Sequence, residues 1–578
     1  MIKRKDKLWL TIILLGILSL IIENSTVKGF GLSYISHIID LVISVVFVSD
    51  IFIRFIKARG KVFFVRHHLL ETVFALAFVG FFTFGKYYHF FVEEFWGHSI
   101  PVKVIVAVSV FNIFKAAMRI SKMKFFFKNL TTHPAQTIML SFFLVILIGT
   151  ILLMTPIATV DLTRIGFINA LFTATSATCV TGLIVLDTAT RFSAFGKTVI
   201  MCLIQVGGLG IMMLGYFTAF LVGMKLTYQD KMTISYMLDE VDTTKFARDL
   251  RGIVLLTFLI ESAGALMLYP AFLKNQGSFL GGAFYSIFHA VSAFCNAGFA
   301  LFTDNLASFH SSALVSMVIA ILVIAGGISF AVLINSFSFM KSSFERGVLK
   351  QSKRIVKMSL NTKVVLSATA ILLVAGTLFI YKVEHKPSLL SYDIKTQYLM
   401  AFFQSVTLRT AGFNTMDISS LHIATYTLMI LFMFIGGASG SCAGGIKVNT
   451  VGVIWAYVKS IFNNRDDVVL FRHSVSKDLI NQAFMVMFLS LCAVFTGALI
   501  LSLTENKKFI RIMFEVTSAF GTVGLSTGIT QELTGIGKVV ITVLMFIGRL
   551  GPLTVIAALS RKTGQYPVQY PQGKISIG

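Results

Sequence analysis

The 578-residue sequence predicts an all-α polytopic membrane protein. It is expected to contain four repeats of helix, re-entrant loop and helix around a pseudo-fourfold axis, preceded by about four extra transmembrane helices. Three observations predict this class. Hydrophobic residues make up 56% of the chain, charged residues only 13%, and the mean hydropathy is +0.83, whereas a soluble domain is about 25% charged. Apolar runs approach or exceed the roughly 20 residues that a helix needs to cross a bilayer. One short motif occurs four times at nearly constant spacing.

The apolar runs are interpreted as helices rather than as strands of a membrane barrel. In lipid, backbone polar groups must bond to one another, so helices and closed barrels are the only structures that span. Barrel strands are about 10 residues long and alternate between apolar and polar positions. The runs in this sequence are longer and continuously apolar, so they predict helices.

The net charge of +24 is explained by membrane topology rather than by a nucleic-acid partner. Lys and Arg collect in short segments between predicted helices, such as 54–66, 341–363 and 459–477, as expected for cytoplasmic loops. An even number of helices before the first repeat then places the N-terminus in the cytoplasm. We therefore predict a multi-pass protein of the cell membrane (plasma or bacterial inner membrane) that contacts membrane lipid and no nucleic acid.

The repeated motif begins with Phe and has Gly ten residues later, followed by Leu or Phe. Its four copies are FTATSATCVTGL, FHAVSAFCNAGF, FFQSVTLRTAGF and FEVTSAFGTVGL, which begin at Phe172, Phe288, Phe402 and Phe514. The glycines are separated by 116, 114 and 112 residues. A single such pattern carries no information, but four copies in register indicate an internal repeat.

Each motif lies between two long apolar segments. First helices are predicted at about 137–156, 251–273, 361–383 and 479–503, and second helices at about 196–222, 311–338, 422–457 and 535–560. The domains are an N-terminal four-helix membrane domain at 1–130 and pore repeats at 135–225, 250–340, 360–460 and 478–578, the last with the C-terminal tail. The segment that ends in the motif is too short to span, so it predicts a re-entrant half-helix and loop that face protein or water.

Four re-entrant loops around one axis can aim backbone carbonyls at one point. A ring of carbonyls replaces the hydration shell of a monovalent cation, and glycine reaches backbone angles closed to other residues without crowding the pore. The predicted ion filter comprises Thr178, Cys179, Val180, Thr181, Gly182, Cys295, Asn296, Ala297, Gly298, Arg409, Thr410, Ala411, Gly412, Gly521, Thr522, Val523 and Gly524. The alternative is a re-entrant packing element that does not conduct, but packing alone would not require the same motif four times.

These motifs resemble the Trk/Ktr/HKT superfamily of potassium transporters, which has four helix–pore-loop–helix repeats in one chain and a filter glycine in each. The resemblance covers about 137–578, and the C-terminal YPVQYPQGKISIG is more similar to the Ktr branch. It implies K⁺ at the filter carbonyls, no covalently bound cofactor, Na⁺ as a candidate modulator, a homodimer, and a separate cytosolic nucleotide-binding RCK regulatory subunit. In the superfamily a serine at the first filter position goes with sodium transport, so Gly182 argues for potassium.

A gate is predicted below the filter, where the second helices carry glycines at 208, 327 and 437 but the fourth repeat has Arg549. A charge at membrane depth is a functional candidate, although a snorkelling arginine or one paired with a carboxylate is the alternative. The segment GGASGSCAGGIK predicts a broken helix, because each glycine weakens a helix by up to about 1 kcal/mol. The family has an intramembrane gating loop at this place and an arginine that matches Arg549. The predicted gate comprises Gly436, Gly437, Ser439, Gly440, Ser441, Gly444, Gly445 and Arg549.

The first 130 residues contain no copy of the motif. Four helices are predicted at about 8–22, 35–56, 68–85 and 102–120. They faintly resemble the S1–S4 sensor of voltage-gated channels, but positive-inside anchoring is the stronger explanation of the basic end of the fourth helix.

Three other functions are weighed against the potassium pore, and two of them remain open. Sodium or mixed Na⁺/K⁺ transport through the same pore and a voltage-gated cation channel are the open alternatives. An intramembrane enzyme is disfavoured, because the sequence has no HExxH motif and no paired carboxylates at depth within the repeats.

Overall fold

The computed structural model describes residues 134–210, 246–347, 357–385 and 389–559, together with helical residues at 49, 52, 53, 55 and 56. Those five residues fall within the predicted helix at 35–56. The rest of the predicted N-terminal four-helix domain and the C-terminal tail from 560 lie outside the described residues.

The described chain is almost entirely helical, and its helices form four successive units. Unit 1 contains α1 (Pro134–Met154), α2 (Phe167–Thr178), the short α3 (Thr188–Arg191) and α4 (Ala194–Leu209). Unit 2 contains α5 (Phe246–Gln276), α6 (Phe279–Phe294), α7 (Ala313–Gly327) and α8 (Phe330–Gly347).

The other two units have the same order of helices. Unit 3 contains α9 (Leu360–Glu384), α10 (Ile394–Thr407), α11 (Ile423–Phe434) and α12 (Val448–Phe462). Unit 4 contains α13 (Lys477–Thr504), α14 (Phe509–Gly521), α15 (Gly535–Leu550) and α16 (Pro552–Leu559). A two-stranded antiparallel hairpin, β1 (Val469–Leu470) and β2 (His473–Ser474), connects units 3 and 4.

The first helices of units 2 to 4 are long and apolar enough to cross a membrane over Gly252–Gln276, Leu360–Glu384 and Lys477–Thr504. They carry large apolar side chains on their outer faces, including Leu266, Phe488 and Leu503, which are 74%, 66% and 80% exposed. Apolar surface on this scale matches lipid rather than water. The bounds agree closely with the predicted first helices, because continuous apolar runs of this length are a strong local signal.

The four pore helices, α2, α6, α10 and α14, are short and lie inside the molecule. Each second helix packs against the pore helix of the following unit: α4 on α6, α7 on α10, α11 on α14, and α15 on α2. The last contact closes the circle, because unit 4 packs against unit 1. The arrangement therefore places four pore helices around a common centre.

The second helices are not the long continuous helices that the sequence predicted. The predicted helix at 311–338 is α7 and α8, which meet at an angle of 106°, and that at 535–560 is α15 and α16, which meet at 93°. In unit 3 a loop at 435–447 separates α11 from α12, as the glycine-rich segment predicted. The sequence did not predict the two sharp bends because it stays apolar across them. Hydropathy indicates which residues are buried and not where a helix axis changes direction.

Close approach explains glycines near the end of three second helices. A Cβ added at Gly207, Gly326 or Gly548 would meet a backbone carbonyl at the end of a pore helix. The three carbonyls belong to Thr178, Phe294 and Phe520. A side chain at these positions would push the second helix away from the pore helix.

We expect Gly326→Ala to destabilise the protein, because the new methyl group would overlap the Phe294 carbonyl and overpacking typically costs about 1–3 kcal/mol. The midpoint of thermal unfolding in detergent should fall. Gly252→Ala is the matched control, because no heavy atom lies within 4 Å of its Cβ position and alanine favours the helix. Equal midpoints for the two variants would contradict this account of the helix contact.

A candidate ion filter and the loop below it

The four filter loops share one backbone conformation. Two residues before each motif glycine the chain is left-handed, with φ of 57° at Val180, 59° at Asn296, 66° at Thr410 and 50° at Thr522. The glycines themselves have φ of 90°, 69°, 76° and 89°. Left-handed angles are uncommon for residues other than glycine and are costly for β-branched ones. Such strain persists only where the surroundings impose it, and it clusters at functional sites.

The four glycines form a closed ring of contacts between units. A Cβ added at Gly182 would meet the Ala297 carbonyl and the Gly298 Cα, and one at Gly298 would meet the Ala411 carbonyl and the Gly412 Cα. The series continues from Gly412 to the Val523 carbonyl and from Gly524 back to the Thr181 carbonyl. Any side chain at a ring position would displace a neighbouring loop.

The carbonyls that enter these contacts belong to the residue before each glycine. The N–H of each of those residues is used inside its own unit: Thr181 donates to Ser176 at 2.8 Å, Ala297 to Ser292 at 2.7 Å, Ala411 to Thr407 at 3.0 Å and Val523 to Ser518 at 2.8 Å. The N–H and the carbonyl of a residue bond to separate partners. The pore helix therefore accepts the hydrogen bond from the N–H of each of these residues, while their four carbonyl oxygens lie near the glycine ring.

A serine side chain fixes the loop in three of the four units. The Ser176 hydroxyl donates to the Leu183 carbonyl at 2.7 Å and accepts from the Gly182 N–H at 3.1 Å. Ser292 donates to Phe299 at 2.8 Å, and Ser518 accepts from Gly524 at 3.1 Å. Unit 3 has Val406 at this motif position, so its loop lacks the serine link.

Among the described residues, threonine hydroxyls around the ring have no hydrogen-bond partner. The buried Oγ1 atoms without a hydrogen bond include those of Thr178, Thr181, Thr407, Thr410 and Thr522. Buried polar groups are normally hydrogen-bonded. Unpartnered hydroxyls concentrated at one place fit a site that receives a polar or charged guest.

The remaining predicted filter side chains point into the surrounding protein. Cys179 and Cys295 are buried, and the Cys295 Sγ lies 3.8 Å from a carboxylate oxygen of Glu261. Arg409 is only 5% exposed, and its Nε and Nη2 atoms have no hydrogen-bond partner. A Cβ added at Gly521 would meet the Met433 carbonyl of unit 3. A filter role for these residues, through their backbone atoms, stays a prediction.

The glycine ring lies between two cavities. The upper cavity, of about 450 Å³, is lined by all four ring glycines and carries Asp304 and Asp417 on its wall. The lower cavity, of about 180 Å³, is lined by Gly208, Ser441, Lys447 and Arg549 among others. The wall of the upper cavity thus carries carboxylates, whereas that of the lower one carries two basic side chains.

The loop at 435–447 separates the lower cavity from the ring. Its two ends are joined, because the Gly436 N–H donates to the Ile446 carbonyl at 2.8 Å. Its middle is fixed to the end of α7, where Ala438 donates to Gly327 at 3.1 Å and Cys442 donates to Gly326 at 3.2 Å.

Small residues let this loop reach the underside of the filter. A Cβ added at Gly444 would overlap the side chain of Thr522 in the unit 4 filter, and one at Gly437 would lie 2.6 Å from the Ala443 Cβ. Gly440 and Gly445 have φ of 73° and 65°. Ser441 Oγ donates to the Ala438 carbonyl at 2.7 Å, and Ser439 is partly exposed at the tip of the loop.

Arg549 joins this loop to unit 1. Its guanidinium donates to the Cys442 carbonyl, to the Gly207 carbonyl at 2.5 Å and to the Gly208 carbonyl at 3.4 Å. The last two carbonyls lie at the C-terminal end of α4, where the helix dipole favours a cation. The arginine therefore bonds to backbone across the lower cavity, rather than to a carboxylate.

Two pore-helix residues, His289 and Glu515, hold the segment after the filter. The motif pattern did not single them out. His289 donates from Nδ1 to the Tyr285 carbonyl at 2.7 Å and accepts the Leu301 N–H on Nε2 at 3.3 Å. Glu515 occupies the same motif position in unit 4 and accepts hydrogen bonds from Ser526 at 3.0 Å and from Thr530. A comparison of the second motif residue across the repeats would have found it.

Comparisons with known proteins agree with this fold. The family model for TrkH, described as a cation transport protein, matches residues 102–566. The chain is 41% identical over 447 residues to Ktr system potassium uptake protein B of Bacillus subtilis, which covers 77% of this chain and 97% of that relative. It is 35% identical over 452 residues to potassium/sodium uptake protein NtpJ of Enterococcus hirae, with 77% of this chain and 97% of the relative covered.

A solved structure has the same fold. The crystal structure of the potassium transporter TrkH from Vibrio parahaemolyticus matches with a TM-score of 0.59 and 17% identity, over 79% of this chain and 91% of that one. The predicted resemblance to the Trk/Ktr superfamily is confirmed, as is the prediction of a transporter rather than an enzyme. The chain belongs to the TrkH family of cation transport proteins.

Proposed function

We propose that this chain mediates potassium uptake across the cell membrane through a channel-like pore. The observation that carries the proposal is the closed ring of four glycines, each in close contact with a carbonyl of a neighbouring unit, next to a cavity that all four glycines line. Relatives at 41% and 36% identity bear the name Ktr system potassium uptake protein B. A ring of carbonyls suits K⁺ because it replaces the hydration shell of the ion without a charged ligand.

In this proposal the upper cavity faces the cell exterior, where Asp304 and Asp417 attract cations. The ion sheds water at the carbonyls around Gly182, Gly298, Gly412 and Gly524 and then meets the loop at 435–447. Arg549 holds that loop closed and repels cations at rest. Inward movement is driven by the membrane potential, which contributes about 2.3 kcal/mol per charge per 100 mV, so no hydrolysis site is needed in this chain.

We further propose that the chain works as a homodimer in the cell membrane with a cytosolic nucleotide-binding RCK subunit, its N-terminus facing the cytoplasm. The support is the family resemblance and the word "system" in the names of the Ktr relatives. An RCK subunit would open the pore by moving the second helices that carry the loop and Arg549. Co-purification of the full chain with such a subunit is the direct check.

Mixed sodium and potassium transport through the same pore is the second candidate. It is favoured by the 35% identical relative that is named a potassium/sodium uptake protein. The glycine at the first ring position argues against it. The two functions differ in whether external Na⁺ itself enters through the protein.

The test is uptake of K⁺ and of tracer Na⁺ by cells that lack their own potassium uptake systems, with and without this chain and an RCK subunit. Rescue at micromolar external K⁺ with no tracer Na⁺ entry supports the potassium pore. Entry of both ions supports the second candidate. Entry of neither ion, despite membrane expression and the presence of the subunit, would contradict both.

Gly182→Ser should reduce selectivity for K⁺ over Na⁺. The glycine has φ of 90°, and a Cβ there would overlap the Ala297 carbonyl, so the ring must widen or lose a ligand. We expect the permeability ratio to fall at least about tenfold, which corresponds to ~1.4 kcal/mol of lost discrimination. Reversal potentials in bi-ionic solutions measure it.

The matched control for this substitution is Gly166→Ser in the same unit. Gly166 precedes the pore helix α2, and no heavy atom lies within 4 Å of its Cβ position. Serine is favourable at a helix N-cap, so the permeability ratio should not change. A normal ratio in Gly182→Ser would contradict a carbonyl filter at the first position.

Arg549→Ala should raise basal K⁺ flux severalfold in proteoliposomes without a regulatory subunit. The substitution removes the bonds to Cys442, Gly207 and Gly208 and a positive charge from the lower cavity. Arg191→Ala is the control, because Arg191 pairs with Asp161 on an exposed surface at 2.5 Å and surface ion pairs contribute little. Unchanged or lower flux in folded Arg549→Ala protein would rule out an obstructing role.

A further inference from the structure

A carboxylate is buried at membrane depth in unit 2, outside the predicted filter and gate. Glu261 lies in the middle of α5 and is 4% exposed. Burial of a charge is costly unless it is hydrogen-bonded, and ionisable residues within membrane segments mark functional positions. Its partners belong to α4 and to the filter loop of unit 2.

Glu261 connects unit 2 to the second helix of unit 1. The Gln205 side chain of α4 donates to both carboxylate oxygens, at 3.1 and 3.2 Å. The Cys295 thiol of the unit 2 filter loop lies 3.8 Å from one of them. A Cβ added at Gly208 would overlap that same Cys295 side chain, so the end of α4, the filter loop and α5 meet here without a gap.

The same end of α4 also receives Arg549. Gln205 lies two and three residues before Gly207 and Gly208, whose carbonyls accept hydrogen bonds from the guanidinium. The helix ends at Leu209, and Gly210 turns away with φ of 83°. The last turn of α4 is therefore held by Glu261 through Gln205 and by Arg549 through its carbonyls.

Two other buried glutamates at the ends of first helices have different binding partners from Glu261. Glu384 accepts from the His422 N–H at 2.9 Å, and Glu505 accepts from the Thr534 hydroxyl at 2.6 Å. Both lie at the end of a first helix and bind the N-terminus of the second helix in their own unit. Glu261 instead lies mid-helix and binds the opposite end of a second helix from another unit.

We propose that Glu261 is a positioning residue for the closed gate. By holding Gln205, it keeps the final turn of α4 where the Gly207 and Gly208 carbonyls can accept from Arg549. Without this hold the arginine loses its acceptors, and the loop at 435–447 opens more often. The inference rests on the proposed function, because it assumes that Arg549 obstructs ion flow.

The test measures basal Rb⁺ flux through the purified full-length chain in liposomes, with no regulatory subunit. Glu261→Gln and Gln205→Leu are each made alone and combined with Arg549→Ala. Each single variant should raise basal flux about threefold or more, as expected for loss of a buried hydrogen bond to a charged group. Neither should raise flux further when Arg549 is already alanine, and the K⁺/Na⁺ permeability ratio should stay at the wild-type value.

Glu384→Gln is the matched control, since it makes the same change at a carboxylate that is 0% exposed and that binds the N-terminus of α11 rather than the end of α4. It should leave basal flux unchanged. The inference is overturned if Glu261→Gln and Gln205→Leu still raise basal flux in the Arg549→Ala background. It is also overturned if the K⁺/Na⁺ permeability ratio changes, if basal flux does not rise, or if neither variant yields folded protein. Absence of Rb⁺ flux in both the wild type and Arg549→Ala would instead reject the proposed function.

Discussion

The contact between the four motif glycines is the constraint on which the rest of the structure depends. Each glycine lies so close to a carbonyl of the next unit that a methyl group would not fit. All four loops must therefore reach the same depth with the same strained backbone, including left-handed Val180 and Thr522. The short buried pore helices position the loops, because each loop is hydrogen-bonded to its own pore helix. Serine side chains add further bonds in three of the four units.

Below the ring the units differ, and the differences create the lower cavity. Units 2 and 4 turn sharply, by 106° and 93°, whereas unit 3 inserts the loop at 435–447. Only unit 4 has an arginine where the other second helices have glycine. The repeats thus share the glycine ring and diverge in the region below it.

Three buried or half-buried charges among the described residues lie at junctions between helices and are bound by groups of complementary polarity. Arg549 binds carbonyls at the C-terminal end of α4, while Glu384 and Glu505 bind N–H groups at the N-terminal ends of α11 and α15. These pairings follow the helix dipole. Glu261 is bound by a neutral amide instead. Because a charge in apolar surroundings is tolerated only with such partners, each one fixes the relative position of the helices that it joins.

The sequence by itself determined the membrane class and the first helices, because hydropathy is a local property. From motif spacing it predicted the four repeats and a filter role for the four glycines. It also predicted the break at 436–445 and singled out Arg549. Only the tertiary structure decided where α7 and α15 end, and that Arg549 bonds to carbonyls 341, 342 and 107 residues away in sequence. The role of Glu261 became recognisable only through its partners. Such contacts form between units that are far apart in the chain and pack together only in the folded structure. Local sequence patterns therefore do not predict them.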